Sequence, residues 1–173
     1  MIAGYLINAY ENDDTIKDAE FVQEDPEDLD FTGIRFEDVV FTKCVFRNCI
    51  FPKTEFYSCR FVSCDFSNCS FEDSYWKTCK IEKCKFTGAS FTGSTVKETS
   101  VSESNFSYSN FTDSLLDSVK IVSSDFRQAN LMQSVIKKSV FREVNFTSAE
   151  FFRTPLKWST SYWSSLIASS MVI

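Results

Sequence analysis

From Phe31 onward a large apolar side chain recurs every fifth residue. The column runs Phe31, Phe36, Phe41, Phe46, Phe51, Phe56, Phe61, Phe66, Phe71, Trp76, Ile81, Phe86, Phe91, Val96, Val101, Phe106, Phe111, Leu116, Ile121, Phe126, Leu131, Ile136, Phe141, Phe146, Phe151 and Leu156. Seventeen of these 26 positions are Phe, and no insertion breaks the register. Two residues before each lies a second column, which from Val39 onward is small and uncharged: Cys44, Cys49, Thr54, Cys59, Cys64, Cys69, Ser74, Cys79, Cys84, and then Ser, Thr, Ala and Val. The other three positions of each five are mostly polar or charged. A period of five fits neither the 3.6 of a helix nor the 2 of a flat strand. One small and one large inward side chain per five residues instead describe a solenoid that turns a corner after every unit.

A weaker period of 20 overlies the five. Phe46, Phe66, Phe86, Phe106, Phe126 and Phe146 fall in one such column and Cys44, Cys64 and Cys84 in its neighbour. If each 20-residue period is one coil, the 26 units stack into a rod about 30 Å long at about 4.8 Å per stacked strand. Glu-Asp-Pro-Glu-Asp at 24–28 interrupts the frame, since Pro26 falls where a large apolar residue belongs. The predicted organisation is an acidic lead-in and cap over 1–28, with a strand or short helix around Tyr5, Leu6 and Ile7, then a solenoid over 29–157. A C-terminal helix is expected over 158–173, because Trp158, Tyr162, Trp163, Leu166, Ile167 and Met171 fall at helical spacing. Those six residues read either as a cap on the last coil or as a dimer interface, being rich in the aromatic anchors of interfaces.

Units such as Ala129-Asn130-Leu131-Met132-Gln133, Ser109-Asn110-Phe111 and Cys64-Asp65-Phe66 resemble the repeats of the pentapeptide repeat family, and the resemblance covers about three quarters of the chain. It implies an all-β fold, a right-handed quadrilateral β-helix of about six to seven coils with four units to each coil. The Phe-rich coils and the apolar tail are also similar to the Qnr/MfpA-like branch. That likeness implies a DNA mimic that binds DNA gyrase or topoisomerase IV, protects against quinolones, and forms a homodimer through its C-terminus. The broader expectation is a non-enzymatic protein-interaction scaffold whose partner the sequence does not name.

Charge separates these expectations. The net charge of −6 hides ten acids against Lys17 alone in residues 1–30, leaving 14 acids against 17 bases in the remainder. A rod that is net positive is a poor electrostatic copy of DNA, so a gyrase-binding role would rest on acids near the N-terminus: Glu24, Asp25, Glu27 and Asp28. A second candidate surface follows from the 20-residue period. Lys77, Lys97 and Lys137 fall in one outward column, with Leu115 and Val135 two residues before that column's Asp117 and Lys137. Stacked lysines repel, and a partner would relieve them.

Composition narrows the chemistry. There is no His, which removes Ser-His-Asp and Cys-His catalysis and His-ligated zinc. Four scattered Gly leave no phosphate-cradling loop. The seven Cys are spaced by five or its multiples, never as CxxC, and read as inward fillers with no metal or other cofactor. Carboxylate pairs such as Asp65 with Glu72, or Glu37 with Asp38, lie on outward positions of a convex rod and offer general acid–base catalysis no cleft. An odd number of Cys, no long apolar run and no basic leader point to reduced thiols, a cytoplasmic location and no membrane or direct nucleic-acid binding. Asn68, Asn105, Asn110 and Asn145 stand in N-x-S/T sequons that the repeat itself generates.

Overall fold

The structure is a computed structural model and describes residues 1–12, 14–157 and 160–162. Its strands are short, mostly three residues, and all pair in parallel with a strand 20 residues away. Two eight-stranded sheets form two walls. The first wall stacks Ile16–Lys17, Arg35–Glu37, Glu55–Tyr57, Tyr75–Lys77, Thr95–Lys97, Leu115–Asp117, Val135–Lys137 and Leu156–Lys157; the second begins at Glu20–Val22 and ends at Thr160–Tyr162. The third and fourth walls are ladders of single bridges, Val45↔Asp65↔Lys85↔Asn105 and Ile50↔Ser70↔Ser90↔Asn110 among them. The cross-section is therefore four-sided, one pentapeptide to a side.

Each corner is made by the residue two after the inward apolar one, with φ near +55°, as in Asp38, Lys53, Thr78 and Asp113. That left-handed conformation is uncommon outside Gly, yet three of the corners here are Gly and the others carry side chains. Main-chain bonds between coils tie the turns together: Val40 N–H donates to the Ala19 carbonyl and Phe46 N–H to that of Asp65, both at 2.9 Å. Among the described residues no buried side-chain polar atom lacks a partner.

The inward Phe rings form the core. Phe46, Phe66, Phe86, Phe106 and Phe126 stack in sequence with centroids 4.4–5.1 Å apart, and each also meets rings around its own coil. The small column has a second task beyond filling. Cys59 Sγ donates to the Phe36 carbonyl (3.6 Å), Thr54 Oγ1 to that of Phe31 (2.7 Å) and Ser134 Oγ to that of Phe111 (2.6 Å). Cys, Ser and Thr are thus favoured at these positions as small donors to the preceding coil.

The ends differ from expectation. The coil stack starts at Ile16, thirteen residues before the expected boundary at 29, and runs straight through 24–28. Pro26 is buried in a large inward position, and its carbonyl accepts from Arg47 N–H (2.9 Å). The short helix of the described residues, α1 (Ile2–Asn12), is N-terminal. It buries Ile2, Leu6 and Ala9 on the first coil, and Tyr5 meets Phe21 edge-on at 5.2 Å. At the other end Thr160–Tyr162, expected to be helical, pair as a strand with Val140–Arg142. Trp158, Trp163, Leu166, Ile167 and Met171, named above as cap or dimer interface, lie outside the described residues.

Candidate functional site

The first wall gathers the chemistry-bearing outward side chains. Its strands pair in register, so Arg35, Glu55, Tyr75, Thr95, Leu115 and Val135 form one outward column, and Glu37, Tyr57, Lys77, Lys97, Asp117 and Lys137 form the other. Lys77, Lys97, Leu115, Val135 and Lys137, singled out from the sequence, do share this wall. Its cations are not bare. The Arg35 guanidinium binds Glu55 at 2.6 Å and lies over the Tyr57 ring at 5.2 Å. Tyr57 meets Tyr75 at 5.5 Å, and Lys97 Nζ lies 5.7 Å above the Tyr75 ring. The result is a continuous cation–aromatic array, Arg35–Tyr57–Tyr75–Lys97, whose members hold one another in place.

Farther along, Lys137 Nζ pairs with Asp117 at 3.2 Å. Desolvation opposes ionisation of Asp117, but the Lys137 ammonium and the Ser118 hydroxyl outweigh it and hold the carboxyl below its usual range. The expected lysine ladder is therefore relieved within the wall at Lys137 by Asp117 and at Lys97 by Tyr75. Lys77, in register beside Lys97, forms no salt bridge among the described residues.

The four N-terminal acids do not form one patch. Glu24 occupies an inward small position at the end of the rod, and its carboxylate turns up to accept from Ile2 N–H at 3.4 Å, capping α1. Asp25 pairs with Arg47 at 3.0 Å. Glu27 and Asp28 are exposed; with Asp18, Glu20 and Asp30 they ring the first coil. Along the body, opposite charges alternate from coil to coil: Arg60–Glu82 (2.7 Å), Lys85–Asp65 (3.4 Å) and Lys83–Glu103 (3.8 Å). Desolvation pulls Asp65 up, but the Ser67 hydroxyl and N–H and the Lys85 ammonium bring it below its usual range.

All seven thiols are free and buried. They stand in three columns: Cys44–Cys64–Cys84, Cys59–Cys79 and Cys49–Cys69. Bonding to Cys64 and burial push Cys44 far up, bonding to Cys59 and burial do the same for Cys79, and burial raises Cys49. Burial pushes Cys69 up to about 12. Cys64 is eased by Cys44, but its bond to Cys84 and its burial leave it at about 12. Three of the four sequons also have a structural cause. Asn110 Oδ1 accepts from the N–H and hydroxyl of Thr112 (3.0 and 2.6 Å), and Asn145 does the same for Thr147, closing the turn that the third and fourth walls use.

Sequence reasoning missed Tyr57 and Arg35 as members of the wall, and the donor role of the cysteines. The first two were within reach, since 57 is one 20-residue step before 77 and 35 is four such steps before 115.

The pairing defines a four-sided parallel β-helix, a repeat solenoid. Residues 34–106 and 74–151 match the sequence profile of the pentapeptide repeat region, more than half of the chain, and the protein belongs to the pentapeptide repeat family. Among solved structures it is similar to full-length QnrB1, a plasmid-mediated fluoroquinolone resistance protein, at 18% identity over 83% of this chain and 87% of that one, with a TM-score of 0.56. It is also similar to a pentapeptide repeat protein of the Arabidopsis thaliana thylakoid lumen, at 19% identity over 55% of this chain and 66% of that one, with a TM-score of 0.52. At these identities the likeness is one of fold. No curated protein sequence matches the chain. Among the described residues no helix is long and apolar enough to cross a membrane.

Proposed function

We propose that the protein is a non-enzymatic, cytoplasmic interaction scaffold that docks a protein partner on its first wall. The Arg35–Tyr57–Tyr75–Lys97 array carries this reading. Tyr and Arg are among the residues most enriched at interface hot spots, and here they already contact one another without a partner. The half-exposed Leu115 and Val135 extend the array with apolar surface, and Lys77 supplies a charge for an acidic group to meet. Cross-linking mass spectrometry tests the reading. A partner captured by the wild type should be lost from the Tyr75→Ala/Lys97→Glu variant and kept by Thr92→Ala on the fourth wall. Equal capture by both variants would remove the wall from the account.

The exposed ring of Asp25, Glu27 and Asp28 favours a second reading, binding to DNA gyrase or topoisomerase IV with protection against quinolones. Acids that ring one end suit an end-on approach better than mimicry along the rod. A gyrase supercoiling assay with ciprofloxacin separates the two. Rescue that falls when these three acids are neutralised supports the second reading, and no rescue by the wild type removes it. Either reading includes a homodimer joined through the C-terminal segment 158–173, which sedimentation of the full-length chain should show as a dimer; a monomer would remove it.

A further inference from the structure

The inward columns of the four walls are unequal. The first wall runs Phe56, Trp76, Val96, Leu116, and the second Phe61, Ile81, Val101, Ile121, whereas the third and fourth keep Phe86, Phe106 and Phe126, and Phe91 and Phe111. The coil with Val96 and Val101 therefore faces its two Phe with the smallest side chains of the large column. The Phe rings cannot slide across to fill the space. Phe106 is stacked on Phe86 at 4.7 Å and on Phe126 at 4.8 Å, and Phe111 on Phe91 at 4.7 Å. A chamber of about 30 Å³ remains, bounded by Trp76, Ile81, Val96, Val101, Leu116 and Ile121 among others, and its lining is wholly apolar.

We propose that this chamber is a binding site for one small apolar ligand of roughly atomic size, such as xenon. Its volume exceeds the ~10–15 Å³ that a water needs, but a water also needs two or more polar partners, so an apolar chamber stays dry and takes apolar guests. Val96 and Val101, at 9% and 6%, are the most exposed residues of the large inward column between Phe31 and Phe151. The site is independent of any reading of the rod's outer surface.

Xenon itself is the probe. Carbon–proton spectra of methyl-labelled full-length protein under increasing xenon pressure should show saturable shifts at the methyls of Val96, Val101, Leu116 and Ile121, and no comparable shift at Val39 or Val144. Val101→Phe, which fills the chamber, should abolish the shifts and raise the thermal midpoint. Should that ring overfill the site, Val101→Ile is expected to weaken the shifts and raise the midpoint by a smaller amount. Absence of saturable shifts in the wild type would overturn the proposal, as would shifts that survive in both variants or a lower midpoint in both.

Discussion

Replacing Phe86 by alanine is expected to destabilise the fold by about 3–5 kcal/mol, a large fraction of the ~5–15 kcal/mol that holds a typical domain together. Phe86 is fully buried. It stacks between Phe66 at 5.1 Å and Phe106 at 4.7 Å, and meets Phe71, Phe91 and Trp76 around it. Main-chain bonds anchor the neighbouring coils, including Phe86 N–H to the Asn105 carbonyl at 2.7 Å, so the surroundings cannot collapse into the void. In a solenoid each coil is stabilised by its two neighbours, and a failed middle coil leaves two short stacks with exposed ends. Urea titration should show the loss. Tyr108→Ala serves as a control: Tyr108 is 61% exposed at a corner with φ +61°, and its removal should be close to neutral. A loss below about 1 kcal/mol at Phe86 would mean that the ring stack is not the core.

Stability is expected to fall steeply above about pH 8.5, where thiols of the unfolded chain begin to ionise. Cys44, Cys49, Cys64, Cys69 and Cys79 all have raised values in the folded state, with Cys64 and Cys69 at about 12. Folded, they stay protonated where the unfolded chain has lost its protons. Their contribution is therefore complete below the unfolded value and is lost as pH rises toward the folded one. Each such thiol costs on the order of 1.4 kcal/mol per pH unit within that window. Cys84 works in the opposite direction, lowered chiefly because Cys64 donates to it. Denaturation midpoints at pH 7.5 and 9.5 should differ clearly, and Cys69→Ala should reduce the difference. A midpoint unchanged across that range would contradict the buried, protonated columns.

The five-residue frame made the core legible because a Phe at every fifth position has one dry place to go. The 20-residue columns placed Lys77, Lys97, Leu115, Val135 and Lys137 on one wall for the same reason. The ends were harder to read. Pro26 looked like a break, but in the third wall a proline forfeits one inter-coil bond of the kind that Phe46 N–H makes to Asp65. Glu24 looked like free surface charge. At the outermost coil an inward position adjoins the cap, where a carboxylate meets a helix N-terminus. The strand Thr160–Tyr162 was hidden because Ser161 sits where the frame calls for a large apolar residue, while the parallel ladder needs just the main chain. The cation–aromatic array depends on which way long side chains lean, and no periodicity encodes that.

One property underlies the core, the thiol columns and the first wall alike: the chain closes a coil every 20 residues, so side chains 20 apart are neighbours. Paired cysteine substitutions read it most directly. Lys77 and Lys97 are in-register neighbours on the first wall, with main chains about 4.8 Å apart, inside the range a disulfide spans. Lys77→Cys/Lys97→Cys should oxidise to an intramolecular disulfide in the native state while the seven buried thiols remain unreacted. Lys77→Cys/Thr87→Cys is closer in sequence but places its thiols on opposite walls, and should remain reduced. A disulfide between 77 and 87 with none between 77 and 97 would contradict the coil, and with it everything built on its walls.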